Sequence, residues 1–116
     1  MSTANEIIVS ISNDFSRSPG PRLIVEGPFS GEKFRQDILA PKVTAALRDQ
    51  KTLLIDLDGT SGYGTSFLEE SFGGLIRYDN FKYDDLIKIL KFKSIEEPYL
   101  IEEIWQDIKD ACEDKK

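Results

Sequence analysis

A small α/β domain built on one mixed sheet, with helices packed on the sheet, is the fold this sequence predicts. Three observations carry the prediction: a period-two run near the start, an unbroken apolar run at mid-chain, and three stretches with apolar residues at helical spacing. Ile7, Val9 and Ile11 alternate with Ile8, Ser10 and Ser12, so residues 6–12 read as a strand. A turn-rich stretch from Asn13 to Pro21 leads to Arg22-Leu23-Ile24-Val25-Glu26, which reads as a second strand joined to the first in an antiparallel hairpin. After Gly27-Pro28, the spacing of Phe34, Ile38, Leu39, Val43, Ala46 and Leu47 predicts a helix over 30–50. Pro41 removes a helix hydrogen bond and clashes with the preceding turn, so a kink or break is expected around Ala40.

The run Thr52–Leu57 has the composition of a strand buried on both faces and is the candidate central strand. The loop 58–64 follows, and residues 66–77 put Leu68, Phe72, Leu75 and Ile76 on one helical face, with Gly73-Gly74 allowing close approach to the sheet. The β-branched and aromatic content of residues 86–92 favours a strand there. Ser94-Ile95-Glu96-Glu97 matches a capping box, and Ile101, Ile104, Trp105, Ile108 and Cys112 form the stripe of a closing helix. The predicted order is therefore β-β-α-β-α-β-α, its later strands joined by right-handed parallel crossovers. One core suffices for these elements, so residues 1–116 are read as a single domain with its core at about 6–112.

Composition narrows the function. The chain of 116 residues is 40% hydrophobic and 31% charged, as a globular protein should be. It has no apolar stretch near the roughly 20 residues a membrane span needs, and Met1–Asn5 lacks the features of a secretory signal. With a single cysteine, Cys112, no disulfide can form within the chain, and a cytoplasmic location is expected. The net charge is −6, of which residues 96–116 hold −5, and no basic stripe is present, so phosphate backbones are repelled and nucleic acid is not an expected partner. The absence of histidine excludes Ser-His-Asp and Cys-His catalysis, and with only one cysteine it also removes a zinc site.

Open α/β sheets bind at their strand-to-helix loops, which directs attention to Asp58–Ser66. Thr65-Ser66-Phe67-Leu68-Glu69-Glu70-Ser71-Phe72-Gly73-Gly74-Leu75 resembles the phospho-acceptor segment of STAS domains, the anti-sigma factor antagonist family. The whole chain, over about residues 6–110, resembles more closely the STAS-like domain family of unknown function. That likeness runs through Phe29-Ser30-Gly31-Glu32-Lys33-Phe34-Arg35, Ile55-Asp56-Leu57-Asp58-Gly59 and the segment 64–74. The Asp-Ser-Ser-Gly usual in antagonist proteins is replaced by Thr65-Ser66-Phe67-Leu68, and the loop before it is richer in glycine. The resemblance implies a STAS-like fold and a regulatory interaction domain of bacterial-type signalling, switched by phosphorylation of Ser66 or Thr65. The implied partner is a histidine-kinase-like ATP-binding protein, which would contact Asp58, Thr60, Ser61, Tyr63, Thr65, Ser66 and Glu69. On this reading the chain is no enzyme, has no catalytic residue, metal or cofactor of its own, and is a monomer or weak dimer.

The residues carry other readings. Ser66-x-x-Glu69 matches a capping box, which would occupy the serine without any switch. Gly59, Gly62 and Gly64 suit backbone conformations with positive φ. Asp56-Leu57-Asp58-Gly59-Thr60 after an apolar strand matches the first motif of haloacid-dehalogenase-like phosphatases, in which the first Asp takes the phosphoryl group, the second is the general acid, and Mg²⁺ neutralises the phosphate. Asp84, Asp85 and Lys88 could imitate other parts of that set. The third alternative is a constitutive interaction or dimerisation module indifferent to charge at Ser66.

Overall fold

The computed structural model describes residues 5–115, and its centre is a three-stranded sheet in the order β1-β2-β3, parallel throughout. Strand β1 is Glu6–Ser10, β2 is Thr52–Asp56 and β3 is Leu90–Lys93. In register, Val9 lies beside Ile55 and Ile55 beside Phe92, so the apolar run at mid-chain is the central strand, as its composition predicts. It is not buried on both faces. Leu53 and Ile55 are fully buried with Val9 and Leu90, whereas their neighbours Ile8, Leu54, Lys91 and Lys93 lie on a face where none is buried. A side-chain period of two sorts the strands this way once helices cover one face only.

The predicted antiparallel hairpin does not form, and the sheet is therefore parallel rather than mixed. β1 ends at Ser10 instead of running to residue 12. The Ser10 hydroxyl accepts from the Asn13 amide and caps a short helix α1, Ile11–Asp14. Residues 22–26 have a strand's composition but lend their amides to side chains: Leu23 donates to the Glu26 carboxylate and Ile24 to the Glu32 carboxylate. Ile24–Glu26 closes into a single 3₁₀ turn, and Gly27 at φ 151° takes the chain out of it.

Helix α2 covers residues 31–49. Ser30 caps it by accepting from the Lys33 amide, and Gln50 ends it in the left-handed region. Pro41 does not break it. The helix widens instead into a π turn over Arg35–Leu39, so Ala40 keeps helical angles and the loss of the Pro41 N–H is absorbed upstream. Helix α3 covers residues 65–77 and has a second π turn at Glu69–Gly73. The two helices touch at glycine: a side chain on Gly31 would sit 2.6 Å from the Phe67 carbonyl, and one on Gly74 would sit 2.4 Å from the Arg35 guanidinium. Gly73-Gly74 thus gives close approach to α2 and to residue Asp107, not to the sheet.

The predicted strand 86–92 splits. Residues Tyr83–Ile89 form helix α4, with Asp84 and Asp85 in its first turn where acids suit the helix dipole, and only Leu90–Lys93 extends as β3. The capping box at Ser94 does not form either, because Ser94 donates its hydroxyl to the Glu97 carbonyl in a turn and the last helix, α5, begins at Tyr99 and runs to Asp114. Phe34 stacks on Phe67, and edge-to-face contacts run from Phe34 through Phe72 and Phe92 to Trp105, joining α2, α3, β3 and α5 in one core. Among the described residues, no helix is long and apolar enough to cross a membrane.

Candidate functional site

The loop after β2, the turn after β3 and the segment after β1 meet beyond the carboxyl ends of the strands, where open α/β sheets place their sites. Asp58 organises the meeting. Its carboxylate accepts the amides of Ile95 and Glu96 at 3.0 and 2.9 Å, and these bonds hold its pKa below the usual carboxylate range. In return the Gly59 amide donates to the Glu96 carboxylate at 2.9 Å. Asp56 accepts the Asp58 amide at 3.0 Å in a local turn. Gly59 has to be glycine, since its φ is +94° and a side chain there would meet Ser12 Oγ at 2.7 Å. Gly62 also has positive φ, but Gly64 does not: at φ −73° it is extended.

The rest of the loop is fixed in turn. The Ser61 amide donates to the Arg17 carbonyl, and Thr60 accepts the Gly62 amide. Tyr63 is packed into the loop. Its ring is half-buried against Phe67, its hydroxyl donates to the Leu57 carbonyl at 2.7 Å, and burial pushes the phenol up to about 12.

Thr65 and Ser66 are exposed, in the first turn of α3. Gly64 occupies the cap position and no side chain caps this helix end, so the Ser66-x-x-Glu69 box predicted from sequence is absent. Glu69 turns away from the loop. It pairs with Arg22 and, at 2.7 Å, with Arg77, and these cations hold its pKa down against the effect of burial. One residue on, Glu70 is fully buried and pairs with the equally buried Arg35 at 3.2 Å. Arg35 also donates to both oxygens of Asp79, to the Glu70 carbonyl, and lies 5.1 Å over the ring of Tyr78. Of the predicted site residues, then, Asp58, Thr60, Ser61 and Tyr63 build and brace the loop, Thr65 and Ser66 are presented by it, and Glu69 belongs to the neighbouring ionic cluster.

That cluster of Arg22, Arg35, Glu69, Glu70, Arg77 and Asp79 escaped sequence reasoning. Its one trace in the sequence was an arginine and a pair of glutamates inside otherwise apolar helical stripes, at positions where a solvated face is not expected.

Residues 30–100 match the family model of a STAS-like domain of unknown function, and the chain belongs to that family. The match opens at the Ser30 cap of α2 and takes in the crossing of α2 and α3, the loop 57–64 and β3. No curated protein and no solved structure matches the chain.

Proposed function

We propose that this domain is a regulatory protein-interaction module of the anti-sigma factor antagonist type, with Ser66 the first choice of phosphate acceptor and Thr65 the second. One observation carries the reading: two exposed hydroxyls, engaged in no hydrogen bond, stand in the first turn of a helix whose end lacks a side-chain cap, on a loop braced by Asp58, Glu96 and Tyr63. A phosphate at Ser66 would add roughly −1.5 to −2 charge. The open amides and the dipole of α3 favour a negative group there, so the fold tolerates the modification. The effect falls on the surface, where a protein packed over the loop would have to desolvate a dianion. The partner that fits is a histidine-kinase-like ATP-binding protein, which supplies the phosphoryl group from its own ATP.

Incubation with such a protein and ATP, read by intact mass and by co-elution, tests this. Wild type should gain one phosphate and then release the partner, Ser66→Ala should bind and stay unmodified, and Ser66→Glu should fail to bind. Equal binding by all three variants would make the domain a constitutive module and end the switch reading.

The phosphatase reading lacks comparable support. The Asp58 carboxylate is engaged by two backbone amides, and no group of three or more acids or cysteines among the described residues could hold a metal ion.

A further inference from the structure

We infer that Arg22 is the internal receptor for a phosphate on Ser66, binding the phosphoserine monoester through donors that its ion pairs leave unused; the inference rests on the phospho-acceptor reading above. Residues three and four apart on a helix are surface neighbours. Ser66, Glu69 and Glu70 are therefore the three corners of one patch on α3, whose backbone keeps helical angles through Leu68 and Glu69. Arg22 stands over two of those corners, pairing with Glu69 and, at 3.3 Å, with Glu70. The third corner is the serine. Helical side chains also lean back toward the N-terminus, so the two carboxylates and the guanidinium they hold lie over the turn that begins at Ser66. Thr65 shares this spacing with Glu69 but not with Glu70, which favours Ser66 of the two hydroxyls.

The guanidinium is incompletely used. Both of its contacts run from Nη1, and among the described residues nothing accepts from Nε or Nη2. The Arg22 side chain is 36% exposed, against 4% for Arg35 and 25% for Arg77. Those two arginines are committed elsewhere: Arg35 gives its donors to Glu70 and Asp79, and Arg77, near the far end of α3, holds Glu69 and Asp114. Arg22 can also yield. If a dianion draws it from the carboxylates, Glu70 keeps Arg35 at 3.2 Å and Glu69 keeps Arg77 at 2.7 Å, so neither acid is left alone.

Phosphate suits this residue, because the planar guanidinium meets phosphate oxygens two at a time in charge-assisted bonds. The phosphate arrives by the transfer proposed above: the bond from Ser66 Oγ to phosphorus forms, the bond from that phosphorus to the departing ADP breaks, and the hydroxyl proton leaves to the partner's base or to water. A phosphoserine carries roughly −1.5 to −2 charge, more than one arginine neutralises, so the surface a partner meets stays negative. The Arg22 carbonyl accepts the Glu32 amide at 2.9 Å, so capture of the phosphate fastens the start of residues 22–26 to the first turn of α3.

A phosphorus NMR titration of the full chain carrying phosphoserine at position 66, installed during synthesis so that no partner is needed, tests the inference. The second ionisation of a free phosphoserine falls near pH ~6. Arg22 favours the dianion, whereas the acids that face Arg22, Glu69 and Glu70 on α3 and Asp107 on α5, disfavour it. Arg22→Gln should therefore raise the phosphate's pKa by roughly 1. Arg22→Lys, which keeps the charge without the fork, should raise it less, and Arg48→Gln, at an exposed pair with Asp49 on α2, should leave it unmoved. Should Arg22→Gln fold poorly, wild type with and without the phosphate replaces it: the Arg22 Nε–H resonance should shift on phosphorylation and exchange several-fold more slowly. A pKa that Arg22→Gln leaves unmoved in a folded chain, a shift no larger than that from Arg48→Gln, or an Arg22 Nε–H identical in both forms would each overturn the inference. The switch reading fails separately, if the phosphorylated chain holds its partner as tightly as the unmodified one, whatever the phosphate's pKa.

Discussion

Removing Glu70 while leaving Arg35 in place should be among the most destabilising single changes available to this protein. The Arg35 and Glu70 side chains are 4% and 3% exposed, and they meet where the π turns of α2 and α3 cross. Breaking a buried pair by deleting one member costs about 3–5 kcal/mol, because the other charge stays behind in a poor solvent. Arg35 would keep Asp79, which it reaches with Nη1 at 3.0 and 3.1 Å, and the Glu70 backbone carbonyl, so Glu70→Ala should cost about 3 kcal/mol. A domain of this size has roughly 5–15 kcal/mol in all, so the loss is readily measured. Urea unfolding followed by Trp105, the single tryptophan, which packs 5.6 Å from Phe92, would show it as a lower midpoint at unchanged slope. The double change Arg35→Met with Glu70→Leu should recover most of the loss, since apolar groups of similar volume replace a buried pair at little cost. A single variant that loses less than about 1 kcal/mol, or a double variant as unstable as the sum of both singles, would refute this account of the crossing.

Tyr63→Phe should cost about 1 kcal/mol by leaving the Leu57 carbonyl without its donor, measured by the same urea titration. In wild type, ultraviolet titration should show one phenol ionising near pH 12, and because that value is raised, stability should be lost as pH climbs from 10 toward 12. Asp107 on α5 is half-buried and faces Glu69, Asp110 and Glu103, with Arg22 opposing them, and burial first and these acids second push its carboxyl up to about 6. The folded state therefore favours the protonated form, and the contribution present below pH 4 is lost as pH rises through 6. Asp107→Asn should stabilise the fold at pH 7 by about 1 kcal/mol after solvent screening, read as a higher melting temperature, and change little at pH 4; equal gain at both would disprove the ionic origin.

Much of the fold was legible in local pattern. Helices α2, α3 and α5 and the central strand follow from apolar spacing, and each lies within a few residues of its predicted bounds. At the end of β1, in residues 22–26 and at Ser94 the reading failed because a side chain had claimed a backbone group. Strand propensity in residues 22–26 is overridden by Glu26 and Glu32, which take the amides a ladder would use. Residues 86–89 join a helix because Leu86 and Ile89, three apart, are both buried, a match to helical spacing hidden within a short apolar run. The position of the site was legible too, since the loop follows the central strand. Its bracing was not: Asp58 and Glu96 are 38 positions apart, and only the fold brings β2 and the turn after β3 side by side. Ser66 read as a cap because a hydroxyl three residues before a glutamate is ambiguous until the ionic partners of that glutamate, Arg22 and Arg77, are known.

The exchange between Asp58 and Glu96 has a mechanical consequence. Each of the two segments holds the other by an amide, so the loop after β2 and the approach to α5 are hitched like two links of a chain. A protein that grips the loop and pulls must either snap three hydrogen bonds at once or drag the threshold of α5 along. Binding at Thr65 and Ser66 would thereby be felt at the acidic helix that ends the chain, and the domain would carry a lever as well as a surface.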